Sequence, residues 1–575
     1  MRPKRWRRVV LVVAVSVLGA DQVVDRARAQ APPVAALAGQ VTSAEEGAME
    51  GVLVSVKKNA ATITTTVVTD RQGRYRFPAA RLEPGSYSVR VRAAGWDLDG
   101  APSVDVAAGR TAALDLKLQK ARDVAAQLTN ADWFASFPGT DAQKASIRGC
   151  THCHTLERIA RTKYTADQLV KVIERMSTYP QLSFPMKIQK LPAPRVGGGP
   201  DNPEQRLAAW RRQADYLATI NQSGGAWSYP LKTAPRPTGR ATEAIYTTFD
   251  LPQKTRQPHD VIVDSKGFAW YASFGEQILG KLDPRTGRVT EYTIPTLKPS
   301  APTGILGVRF DEDENVWLGM QFQGGIAKFD RKTETFQMWS LPPALNGPHV
   351  QINQVGPGRS HVDGKVWLQD AGTYTVLRLD VASGTFEVFE PYKIPRPNVY
   401  DVIPDAKNNG YFLPLGSEEI GRIDARTGAI TMFKTPTQAS GPRRGMMDAQ
   451  DRLWFGENRA DQIGMFDTRT ERFQEWAVPT PGAWPYDATV DKNGEVWSGG
   501  EYNDRILRLD PKSGKFTEYL LPAHVNVRRV FVDNATTPVT FWVGSNHAAS
   551  IVKLEPIDYG ANASSTLPGR RPNVP

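Results

Sequence analysis

Long apolar runs are absent from this chain beyond its first twenty residues: no later stretch approaches 18 apolar residues, so no transmembrane segment is expected and the mature protein should be soluble. Thiols are scarce, with two cysteines in 575 residues, and so is histidine, with seven. His349, His361, His524 and His547 are scattered without metal-ligand spacing. There is no phosphate-cradling P-loop, no G-x-G-x-x-G dinucleotide fingerprint and no G-x-S-x-G elbow, which removes the usual signs of nucleotide-dependent and serine-hydrolase chemistry. Asp311 to Asn315 has the oxygens of a calcium loop but lacks the glycine and distal glutamate of an EF-hand, so it reads as a solvated hairpin tip.

The two cysteines that are present stand three positions apart, in Cys150-Thr151-His152-Cys153-His154. In C-x-x-C-H each thiol can form a thioether with one vinyl group of a haem, and the adjacent His154 is placed to bind the iron. A thioredoxin-like pair would want a βαβ surrounding, and a structural zinc site two more ligands nearby. The motif predicts one covalent haem c, hence electron transfer.

The N-terminus suits that reading. Five basic residues within Arg2 to Arg8 precede an apolar run from Val9 to Ala20, and Ala27-Arg28-Ala29 forms an A-x-A site before Gln30. A signal peptide over residues 1–29 is expected, with a periplasmic mature protein. Removing its net +5 leaves +6 of the chain's +11, a mild excess that suits an acidic partner and gives no reason to expect nucleic acid.

With 48 glycines and 43 prolines the chain favours strands and turns, and its length exceeds a single core. Residues 30–120 alternate apolar and polar positions between turn signals, as expected of a small β-sandwich. Thr69 to Phe77 and Leu82 to Val89 resemble the T-D-x-x-G-x-Y-x-F and L-x-P-G-x-Y-x-V hallmarks of carboxypeptidase regulatory-like, transthyretin-type domains. That resemblance implies a structural or docking role.

Residues 121–225 turn helical, with apolar residues every three or four positions from Thr165 to Met176 after a threonine cap, and a second helix from Pro203 to Ile220. Small class I cytochromes place a distal methionine in a loop such as Ser183 to Lys187, and the resemblance implies Met186 as the sixth ligand, with Met176 as its rival. Stretches rich in Gly and Pro on either side of the second helix, the latter including residues 226–240, read as linkers.

From 241 to 558 a phrase of the form W, then I-x-K/R-L-D, then T-E-Y-x-x-P recurs. Its acidic residues are Asp283, Asp330, Asp380, Asp424, Asp467, Asp510 and Glu555. Trp270, Trp317, Trp367, Trp454, Trp497 and Trp542 mark six copies, and Tyr411 the fourth. Seven four-stranded units of this length predict a β-propeller whose last blade is completed by Ala244 to Pro252; residues 559–575 form a tail. The expected class is mainly β and multidomain: sandwich, all-α class I-like cytochrome c, seven-bladed propeller.

Trp454-Phe-Gly-Glu-Asn-Arg-Ala-Asp-Gln-Ile-Gly464 resembles the repeats of the virginiamycin B lyase family. The resemblance implies that fold but not that activity. Where the family uses two histidines, a glutamate beside the second, and a further glutamate after the last tryptophan, the matching positions here are Tyr486, then Asn526 to Arg528, then Asn546. Counting one inner-strand position from blade to blade gives His259, Leu306, a residue near Asn353, Tyr400, Arg443, Tyr486 and Arg528. The next position gives Asp260, Gly307, Asp401, Arg444, Asp487 and Arg529. His259, Tyr400 and Tyr486 are candidate catalytic groups. Asp260, Asp401, Arg443, Arg444, Asp487, Arg528 and Arg529 are candidate ligands for an anionic or hydroxylated small molecule at the channel mouth.

Three functions follow as alternatives. The first is a periplasmic haem c electron-transfer protein or oxidoreductase component, served by a periplasmic dehydrogenase or another cytochrome. The second is a virginiamycin B lyase-type lyase with a diverged site. The third is a non-catalytic docking scaffold.

Overall fold

The structure, a computed structural model, describes residues 35–193, 202–222, 229–393 and 397–557. The expected signal peptide, the C-terminal tail and parts of both linkers lie outside the described residues. Two β regions flank a helical segment, and among the described residues no helix is long and apolar enough to cross a membrane.

Six successive four-stranded antiparallel sheets run from Pro258–Val263 to Lys515–Leu520, and a seventh begins at Val530–Asp533. Four blades are stitched by their tryptophan through one shared bond. Asp264, Asp311, Asp448 and Asp491 each accept the indole N–H of the tryptophan six residues later at 2.9–3.0 Å, so a fully buried ring keeps its one polar atom satisfied. The same bond makes Asp311 a structural residue, since its carboxylate takes the Trp317 indole, the Asn315 backbone N–H and the Lys328 ammonium.

The seventh blade is completed as its sequence suggests. Strand Ala244–Asp250 pairs antiparallel with Ser550–Pro556, Tyr246 opposite Leu554. Its other edge pairs with Ile63–Val68 of the sandwich, Tyr246 opposite Thr66, so one eight-stranded sheet runs from the last blade into the N-terminal domain. The cores follow the backbone: Ile245 packs among Val54, Val67 and Phe77 of the sandwich, while Leu53 and Val68 pack with Tyr246, Tyr519 and Val552 of the propeller.

The helical segment has its own core, with Trp133, Phe137, Ile147, Leu156, Leu169 and Tyr216 buried together. Helix Ala166–Ser177 starts at Thr165, whose hydroxyl accepts the Gln168 N–H in a capping box, and Asn202 caps Pro203–Thr219. The stretch expected as a linker is pinned where it is described. Arg236 bonds Glu46 and the Glu50 carbonyl of the sandwich, the Pro235 carbonyl accepts from Arg505 of blade six, and Ala234 N–H donates to Asp132 of the helical segment.

Candidate functional site

The innermost strands deliver consecutive side chains to the channel because they do not alternate cleanly. Register shifts fall between Pro258 and Val261, Ile352 and Val355, Val399 and Asp401, and Pro442 and Gly445. Such bulges let neighbours like His259 and Asp260, or Arg443 and Arg444, both contribute to one site. Two residues before Arg443, Tyr486 and Arg528 stand Gly441, Trp484 and Asn526, all with positive φ. At Trp484 this left-handed backbone costs on the order of 1 kcal/mol. Asp461 accepts the Trp484 N–H at 2.6 Å, and Asp504 the Val525 N–H at 3.1 Å, which holds these turns in place.

The first layer is a directed chain of hydrogen bonds. His259 Nδ1 lies 2.8 Å from Asp260 Oδ1, and its Nε2 lies 3.3 Å from the Tyr486 hydroxyl, itself bonded to the Tyr400 hydroxyl. Burial holds His259 down to about 4, so the ring is neutral and Nδ1–H donates to Asp260. Nε2 must then accept from Tyr486, Tyr486 from Tyr400, and Tyr400 from Arg443 Nη2 at 3.5 Å. The Arg443 guanidinium also lies 3.9 Å over the Tyr486 ring.

Charge in this layer is partly offset by a residue the register count missed. Glu501 gives one carboxylate oxygen to Arg443 and the other to Arg528. Burial pushes its carboxyl up, but the two guanidiniums hold it below the usual range. Glu501 lies four residues after Trp497, as Asn546 does after Trp542, so repeat spacing could have flagged it.

The second layer is paired differently. Arg444 makes a fork on Asp260, 2.8 Å to each oxygen, and reaches Gln354 Oε1 at 2.9 Å. Arg309 makes a second fork on Asp401 at 2.7 and 2.8 Å. Asp487 accepts the Gly499 and Val530 backbone N–H groups, and burial raises it to about 6. Arg529 reaches the Val308 carbonyl at 2.9 Å and lies 3.6 Å from Asp260.

The C-x-x-C-H turn caps the first layer. Thr151 Oγ1 lies 2.8 Å from the Tyr502 hydroxyl, His547 Nε2 is 2.9 Å from the Thr151 carbonyl, and Asn546 Nδ2 donates to the His152 carbonyl at 3.4 Å. Arg148 stacks over Trp484 at 4.2 Å. The loop bearing Met186 is also docked: Leu182 is buried with Phe274, Leu306 and Phe322, and Gln189 bonds the Gly275 and Thr303 carbonyls. Met186 itself stands at the tip of the turn Phe184 to Lys187, 61% exposed, and Met176 is 41% exposed.

Cys150 and Cys153 leave a single 3-10 turn, Arg148–His152, and its cap, and they form no disulfide. Burial pushes the Cys150 thiol up to about 12. His154 Nδ1 lies 3.0 Å from its neighbour's carbonyl, Thr155 O.

The candidates thus separate into groups. His259, Tyr400, Tyr486, Arg443 and Arg528 meet in the first layer, and Asp260, Asp401, Arg444, Asp487 and Arg529 in the second. Cys150, Cys153 and His154 sit above them, and both methionines face outward. Glu501, Tyr502, Arg309 and Gln354 complete the arrangement.

Two family profiles match the chain: the Virginiamycin B lyase family over residues 299–559 and the Carboxypeptidase regulatory-like domain over residues 36–119. No curated protein matches it. Among solved structures, virginiamycin B lyase from Staphylococcus aureus is 24% identical with a TM-score of 0.47, over 54% of this chain and 99% of that one. A streptogramin B lyase is 22% identical with a TM-score of 0.48, over 55% and 99%.

Proposed function

We propose that this is an exported, periplasmic haem c protein in which the helical segment carries one covalent haem above the sealed end of a lyase-type propeller, and exchanges electrons with a dehydrogenase or another cytochrome. The observation that carries the reading is the position of the C-x-x-C-H turn, held on Tyr502, Asn546 and His547 directly over the buried Arg443, Glu501 and Tyr486 cluster.

The residues fit the group. Cys150 and Cys153 project from one turn and would hold it through thioethers. If His154 Nδ1–H donates to the Thr155 carbonyl, Nε2, to which no described residue hydrogen-bonds, is left for iron. Among the described residues, five of the nine exposed large hydrophobic side chains, Tyr164, Met176, Met186, Ile188 and Leu207, belong to this one segment, an apolar surface of the kind a macrocycle would cover. Met186 would supply the second protein ligand to the iron, with Met176 the alternative. Bound there, haem supplies one-electron exchange; the protein positions it, excludes water from the cluster beneath and keeps His259 neutral. The residual positive charge of the channel suits an anionic small molecule.

A pyridine haemochrome assay and haem staining of denatured protein should be positive for the wild type. Covalent haem retained by a Cys150→Ala, Cys153→Ala double variant would overturn the proposal.

The family match over residues 299–559 favours a second reading, a lyase-type propeller with a rebuilt site, or a propeller used as a scaffold, and it lends nothing to electron transfer. Against a lyase stand Tyr486, Arg528 and Asn546 at the positions of the family's acid and base residues, none tuned like histidine to exchange protons near neutral pH. The capping turn also covers the face a large substrate would need. Incubation with virginiamycin B should give negligible linearised product; turnover at a rate comparable to an authentic lyase would establish the second reading.

A further inference from the structure

The channel as a whole holds charge, and its second layer donors, that its own residues do not use. Five guanidiniums, on Arg309, Arg443, Arg444, Arg528 and Arg529, face four carboxylates, on Asp260, Asp401, Asp487 and Glu501. Three of the carboxylates are engaged by arginine: Glu501 by two, Asp260 by the Arg444 fork, Asp401 by the Arg309 fork. Asp487 gives its oxygens to backbone N–H groups.

Arg529 makes no carboxylate hydrogen bond; its Nη1 lies 3.6 Å from Asp260. Only its Nη1 has a close acceptor among the described residues, the Val308 carbonyl, so the Nε and Nη2 side of its fork is free. Gln354, bonded to the same Arg444 Nη2 that reaches Asp260, is fully buried, its Oε1 fixed and its Nε2 without a partner. Arg309 Nε is buried and unpartnered as well. A buried amide donor left unmade is costly, and a net cation in a low-dielectric channel is more so.

Access differs between the layers. Under the C-x-x-C-H turn the side chains of Arg443, Arg528 and Glu501 are 5%, 3% and 1% exposed, whereas Arg309 and Arg529, further along the inner strands, retain 13% and 20%. The groups beneath the helical segment are closed off, and the solvent exposure that remains among these arginines is on Arg309 and Arg529.

We propose that Arg529, Gln354 and Arg309 form a binding site for a small oxyanion, a carboxylate or phosphate group, which enters from the end of the channel away from the helical segment. The site takes the anion through the free edge of the Arg529 fork, the Gln354 amide and Arg309 Nε, and the anion offsets the channel's surplus positive charge. This deepens the propeller half of the proposed function and is independent of its haem half. Haem staining tests the one and ligand titration the other, so either can fail alone.

The test is calorimetric titration of the purified full-length protein with inorganic phosphate, and separately with succinate, at constant ionic strength. Saturable binding by one of the two is expected, and which of them binds identifies the group. Arg529→Gln should weaken it on the order of tenfold or more, the loss of a charge-assisted contact, and Gln354→Ala should weaken it to a lesser degree. Asp487→Asn removes a competing carboxylate but no donor and should tighten binding; it decides the matter if Arg529→Gln does not fold. Arg285→Ala, a change at an exposed arginine, should leave binding as it was. No saturable binding of either anion, wild-type affinity in folded Arg529→Gln, or unchanged or weaker binding in Asp487→Asn would each overturn the site.

Discussion

The hydroxyl of Tyr502, in blade six, lies 2.8 Å from the hydroxyl of Thr151, the residue that follows the first cysteine of the C-x-x-C-H turn, and 3.0 Å from the Arg148 carbonyl. One phenol thus ties the helical segment to the propeller at the point where both carry their chemistry. Its ring is kept in place from either side by Phe134 and Trp484.

Tyr502→Phe keeps those ring contacts and removes only the hydroxyl. The variant should lose about 1–2 kcal/mol of stability, and the helical segment should be cut faster by limited proteolysis than in the wild type. Equal cleavage rates would mean that the phenol does not hold the two parts together.

Glu501→Gln leaves Arg443 and Arg528 buried without the carboxylate they share. A loss of roughly 3–5 kcal/mol is expected, as for a buried ion pair deprived of one partner, read from denaturant unfolding midpoints at pH 7. A change below measurement error would show that the guanidiniums find other partners.

Glu457 supplies a pH test. Fully buried in blade five, it has its carboxyl raised by burial, and further by nearby Glu475, to about 8. A carboxyl with a raised folded pKa contributes stability that is complete below its unfolded value near 4.5 and is lost as pH climbs from there through 8. Glu457→Gln mimics the protonated form, so it should match the wild type at low pH and exceed it by an amount that grows to about 5 kcal/mol once the folded carboxyl ionises. A difference that does not vary with pH would contradict the assignment.

The axial ligand is tested spectroscopically. Met186→Ala should abolish the weak near-infrared methionine-to-iron band of the oxidised protein while haem stays covalently bound. If Met176→Ala alone removes the band, the helix and not the loop supplies the sulfur.

Much of the architecture was legible because it repeats. Tryptophan and aspartate at a spacing of 43 to 50 residues mark a unit that cannot bury its faces alone, and the strand Ala244–Asp250 reads as the missing piece of the last unit. The same counting brought His259, Tyr400, Arg443, Tyr486 and Arg528 together. Glu501 escaped because it opens the turn after the second strand of its blade, one position beyond Gly500, where the count along first strands does not look. Arg309 escaped because blade two offers Leu306 and Gly307 at the counted positions and sends its charge from two residues further on. The union of sandwich and propeller was illegible for a different reason: edge-to-edge pairing uses backbone groups that every residue carries, and the alternation of Ile63–Val68 only says that a strand is there.

That union sets the order in which the chain can be assembled. Ring closure joins strands roughly three hundred residues apart, a slow step by the ordinary rule that distant contacts form late. The sandwich is made first during synthesis, and its strand Ile63–Val68 offers a finished template on which Ala244–Asp250 can be laid down before any blade exists. The closing strand therefore waits with one edge already occupied, and the last residues to emerge, Ser550–Pro556, meet a rigid acceptor in fixed register instead of a loose end.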